Sequence, residues 1–102
     1  MRRMPPRFYE GVSRRAVMDL PLSVRPVVGA VTLWDGYCRG AFDALGSCCP
    51  DLPGGDICLY PRALEAYCRD PDELADEVRK TVHHEVGHLL GFDEEELTAI
   101  GL

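Results

Sequence analysis

The chain has 102 residues, 46% of them hydrophobic and 27% charged, which excludes a wholly disordered polypeptide and leaves room for one small core. Its net charge of −6 makes nucleic acid an unfavourable partner, with six of the eleven basic residues between Arg2 and Arg25 and ten of the seventeen acids from Asp70 onward. No stretch approaches the roughly 18 apolar residues of a membrane span, and the basic start Met1-Arg2-Arg3-Met4-Pro5-Pro6 lacks the apolar segment of a secretory signal, so one cytosolic domain over residues 1–102 is expected.

In chain order, Phe8, Val12, Ala16 and Leu20 recur every fourth residue and predict a helix over 8–20 with one buried stripe. Pro21 and Pro26 bracket a turn or a single helical turn. Val27 to Trp34 is β-branched and apolar and closes on Asp35-Gly36, the pattern of a strand running into a turn. Residues 36–55 are rich in glycine, proline and cysteine and read as a long loop or a broken hairpin. Asp56 to Tyr60 alternates and stops at Pro61, a short strand expected near an edge, and residues 61–69 read as a short helix. The five cysteines, Cys38, Cys48, Cys49, Cys58 and Cys68, are odd in number and contain no C-x-x-C pair. In a cytosolic chain reduced thiols are their simplest state.

The clearest element begins at Asp70. Asp70 suits the N-cap, Pro71 the first helical position and Glu73 the third, an aspartate version of the capping box. Leu74, Val78, Val82, Val86 and Leu89 then repeat at helical spacing as far as Gly91, a residue fitted to end a helix.

That helix carries His84-Glu85-Val86-Gly87-His88. Residues four apart stack on one helical face, so His84 and His88 can aim imidazole nitrogens at one Zn²⁺ ion. Glu85 is read as lying between them, displaced along the axis, where it reaches a metal-bound water as a general base without being a ligand. His83 points about 100° away and is read as a supporting or surface residue. Only fourteen residues follow His88, so the third ligand is expected from Phe92-Asp93-Glu94-Glu95-Glu96-Leu97, which Gly91 can turn back toward the helix. The same acids also suit the start of a terminal helix, with Asp93 capping and Glu96 at its third position.

The run His84-Glu85-Val86-Gly87-His88-Leu89-Leu90-Gly91-Phe92-Asp93-Glu94 matches the zincin pattern H-E-x-x-H-x-x-G-x-x-(H/D/E). The C-terminal half, from Asp56-Ile57-Cys58-Leu59-Tyr60 to Glu94-Glu95-Glu96-Leu97, resembles the minimal zincin-like bacterial metallopeptidases, and Leu20-Pro21 to Leu33-Trp34-Asp35 looks like their first short helix and strand. The resemblance implies His84 and His88 as zinc ligands, Glu85 as base and Glu94 as third ligand. Many relatives carry aspartate at that last position, which leaves Asp93 as its rival. No methionine follows the motif, so the Met-turn of metzincins is absent. The chain is also similar to the metal-dependent endoribonucleases that process ribosomal RNA, through His84, His88, Leu89, Gly91, Phe92 and Asp93. It differs from them in Glu85, where they usually have glycine, and in Glu94, where they have histidine.

The expected fold is therefore α+β, a small mixed sheet with the long motif helix packed on one face. The expected activity is zinc-dependent hydrolysis of peptide or protein substrates. A metal-binding interaction protein without turnover and a metal-dependent endoribonuclease are the alternative readings.

Overall fold

A computed structural model describes residues 3–34, 46–48 and 57–99. Helix α1 spans Pro6–Met18, a single 3-10 turn follows at Arg25–Val27, and strand β1 is Val31–Leu33. Strands β2 (Gly46–Cys48) and β3 (Ile57–Leu59) precede α2 (Pro61–Tyr67), α3 (Pro71–Leu89) and α4 (Glu94–Ala99). Among the described residues no helix is long and apolar enough to cross a membrane.

The sheet is mixed, in the order β1-β3-β2. β1 runs parallel to β3 with Thr32 opposite Cys58, and β2 runs antiparallel to β3 with Ser47 opposite Cys58. The strand expected near an edge is thus the central one. Pro61 does not contradict this, because it falls after the strand, where its missing N–H occupies the first position of α2 and removes nothing from the ladder. Burial agrees: Ile57 and Leu59 are fully enclosed and Cys58 nearly so. The strand expected over Val27–Trp34 shrinks to three residues because the 3-10 turn takes up its start. Within the stretch expected as a loop or broken hairpin, Gly46–Cys48 does pair with β3, while Cys38 and Cys49 lie outside the described residues. Cys58 and Cys68 are buried thiols. Burial, with Glu77, Glu73 and Asp70 nearby, pushes the Cys68 thiol up to about 11.

α1 begins two residues earlier than its periodicity suggests, because Pro6 fits the first helical position after the extended Pro5. Its deepest row is Tyr9, Ser13 and Ala16, one position round from Phe8 and Val12, which are only half-buried. The Tyr9 hydroxyl donates to Glu65 on α2, and the Met4 amide donates to the same carboxylate at 2.9 Å, which fastens the start of the chain to α2.

α3 is the spine of the molecule, in contact with α1, α2, α4 and the sheet. Its start is capped as the sequence predicts, with the Asp70 carboxylate accepting the Glu73 amide at 2.8 Å. Leu74, Val78, Val82 and Val86 are all within 2% of complete burial and form one core with Tyr9, Ala16, Ile57, Leu59 and Leu64. Leu74→Ala is expected to cost about 3 kcal/mol, through lost burial and the cavity left behind, read as a lowered denaturation midpoint.

Candidate metal centre

The last two turns of α3 present a polar flank beside the core stripe. His84 and His88 lie on that flank about a quarter exposed, at 28% and 27%, with ring centroids 4.9 Å apart and planes at 76°. Glu85 does not project between them. At about 100° per residue it is carried toward the core, and seven residues are close to two turns, so it shares the direction of Val78. It is accordingly buried, at 8% exposure. Proximity survives this correction: one ligand-type atom from each of His84, Glu85 and His88 lies within 4.8 Å of the others.

The helix ends in a turn that builds the rest of the site. Gly91 takes φ 95°, a left-handed conformation that costs a side-chain-bearing residue about 1–2 kcal/mol. The Gly91 amide donates to His88 O at 3.0 Å and the Phe92 amide to Gly87 O at 3.1 Å, the paired bonds of a Schellman motif. This reversal brings the Phe92 carbonyl to Nδ1 of His88 at 2.9 Å. A carbonyl only accepts, so Nδ1 carries the proton and Nε2 is turned outward. Sequence reasoning missed this orienting contact, although a carbonyl four residues beyond a histidine and just past a helix-ending glycine was the available signal.

Ten residues after His84, the Glu94 carboxylate meets both outward nitrogens, at 2.7 Å from His88 Nε2 and 3.1 Å from His84 Nε2. Asp93 is occupied differently. Its carboxylate accepts the Glu96 amide at 2.8 Å and its own amide donates to the Glu96 carboxylate at 3.3 Å, a reciprocal capping box at the start of α4. The electrostatics follow from these contacts. His84 first, and then His88, hold the Glu94 carboxyl below the usual range. Burial disfavours the charged form of His88, but the Glu94 carboxylate, the Phe92 carbonyl and the Glu85 charge outweigh it and raise its pKa.

His83 faces the other way, with Nε2 donating to the Ala16 carbonyl at 2.9 Å. It ties α3 to the end of α1 one residue before the first histidine of the pair. Periodicity alone had assigned it only to a supporting or surface position.

Two imidazoles and a carboxylate thus converge on one point, at the end of a helix laid on a small mixed sheet. The family model for the zincin-like metallopeptidases matches residues 41–102, more than half of the chain, and the chain belongs to that family. A search of the curated proteins returns no match. The family implies zinc, and the clustered His84, Glu85 and His88 provide side chains suited to a metal ion.

Proposed function

We propose that this protein is a zinc-dependent peptidase acting on peptide or protein substrates. His84 and His88 would hold the ion through Nε2 and Glu94 through its carboxylate. The observation that carries this reading is the approach of one Glu94 carboxylate to both outward imidazole nitrogens. When bound, zinc supplies the Lewis acid that polarises the scissile carbonyl and acidifies water. A Glu85 carboxylate oxygen takes the proton from the attacking water and passes it to the leaving amine. The Phe92 carbonyl keeps the proton of His88 on Nδ1, so that Nε2 stays available to the ion. Glu85 and the family match favour this reading over the endoribonuclease.

The test is digestion of a broad peptide library by zinc-loaded protein. Cleavage is expected, with loss on chelation and recovery on adding zinc back. Zinc uptake without any cleavage would leave the non-catalytic metal-binding protein as the better reading.

The third ligand is tested separately. Glu94→Ala is expected to weaken zinc affinity by about a hundredfold, since the loss of even an outer partner of a metal ligand costs about tenfold or more. Asp93→Ala is expected to keep the affinity and lose about 1 kcal/mol of stability with its cap. Zinc dissociation constants and denaturation midpoints of the two variants in one buffer separate these outcomes. The reverse pattern would move the ligand to Asp93.

A further inference from the structure

On the flank of α3 turned away from His84, α1 and α3 leave between them a groove of about 600 Å³. Phe8, Val12 and Ala75 form an apolar floor, and Arg7, Arg15 and Arg79 stand along the rim. Helical spacing sets this order. Phe8, Val12 and Ala16 make one row of α1, and Arg7, Gly11 and Arg15 make the row beside it. Arg7 and Arg15 are eight residues apart, which places them about 12 Å from each other along the axis. Gly11, midway between them, has open space where a side chain would stand, so the centre of the groove is smooth.

The charges on this rim are available. Arg7 and Arg15 are exposed, and neither guanidinium belongs to an ion pair among the described residues, whereas Arg14 on the neighbouring row is held by Glu10 at 2.7 Å. The acid at the groove, Asp76, is engaged by Lys80 at 3.1 Å and Arg79 at 3.4 Å. A chain with seventeen acids and eleven Lys or Arg residues thus keeps two uncompensated cations at the two ends of an apolar trough. A lipid or fatty acid carries its charge at one end and would leave one of these cations unanswered. An α-helix with acids at i and i+7 places its carboxylates about 10.5 Å apart and turns positions i+3 and i+4 to the same face.

We propose that this groove docks an acidic amphipathic helix of a partner protein. Its carboxylates would meet Arg7 and Arg15, and its apolar side chains would lie on Phe8, Val12 and Ala75. The docking does not depend on hydrolysis, because the groove and the His84–His88 pair lie on different flanks of α3.

Fluorescence anisotropy of the full chain with a labelled helical peptide, Glu at i and i+7 and Leu at i+3 and i+4, tests this. Saturable binding is expected, weakened by salt and reduced about fivefold or more in the Arg7→Gln/Arg15→Gln variant. Arg14→Gln is expected to bind like the parent, and Gly11→Leu to bind less well while its thermal midpoint is not lowered, because it fills the smooth centre. The proposal fails if the peptide does not bind, if its Gln-for-Glu version binds equally well, or if the double variant retains full affinity. It also fails if anionic phospholipid vesicles bind the chain and displace the peptide, which would make the groove a lipid site.

Discussion

Replacing either His84 or His88 by alanine is expected to leave a folded chain that no longer retains zinc. Each ring is about a quarter exposed and neither belongs to the core cluster, so truncation removes a donor without opening a cavity. One imidazole and the Glu94 carboxylate then remain, and affinity is expected to fall by more than about a hundredfold. Metal analysis after purification without chelator, together with a competition titration, measures the loss. The pH dependence has a definite sign. The pKa of His88 is raised, so protons compete for its Nε2 to a higher pH than for an ordinary imidazole, while the depressed Glu94 carboxyl stays ionised to a lower pH than usual. Zinc affinity is therefore expected to fall as pH drops through the raised imidazole range, well before Glu94 takes up a proton. In the same window the metal-free chain gains the His88–Glu94 ion pair. That pair is lost in the other direction, as pH rises through the His88 value. Loss of zinc only in the carboxylate range would mean that the histidines are not the groups in competition.

The parts of this molecule legible in the sequence are those set by local chemistry. Asp70, Pro71 and Glu73 fix the start of α3 by capping, and the four-residue rhythm from Leu74 to Val86 marks its buried side. Gly91 ends it, because the left-handed turn needs no knowledge of anything distant. The capping of α4 by Asp93 and Glu96 is equally local. What escaped depends on partners far along the chain. The central place of β3 arises from pairing with β1 and β2 on either side, and nothing within Asp56–Tyr60 distinguishes a central strand from an edge. The choice of Tyr9 over Phe8 for the core depends on the Glu65 carboxylate, 56 residues away, which satisfies the phenol hydroxyl on burial. His83 finds its acceptor 67 residues earlier, at Ala16. In the candidate site the residue types and their spacing were readable, but the approach of Glu94 and the orienting carbonyl of Phe92 required the actual path of the turn. The direction of Glu85 differs from the expected one because a step of one residue past His84 turns it about 100°, out of the space between the histidines and close to the line of Val78, where it is buried.

That direction bears on the second large effect. Glu85→Gln is expected to leave zinc bound and the fold intact while lowering peptide cleavage by about a thousandfold, within the range by which a positioned general base accelerates a reaction. The substitution keeps the size of the side chain and its capacity for hydrogen bonding, which matters at a position only 8% exposed. Its amide cannot accept the proton of the attacking water. Glutamine also removes a negative charge close to His88, which weakens proton competition and the attraction for the dication together, so zinc is expected to stay bound with an affinity near neutral pH that is unchanged or slightly lower. This separates a catalytic loss from a loss of metal, because His84→Ala and His88→Ala lose both together. Glu85→Ala is the less informative variant, since it opens space beside the buried Val82 and Val86 and lowers stability as well as rate. Parallel measurement of zinc stoichiometry, denaturation midpoint and cleavage rate for the glutamine variant distinguishes these effects. Cleavage at the parental rate with zinc retained would remove Glu85 from the role of base.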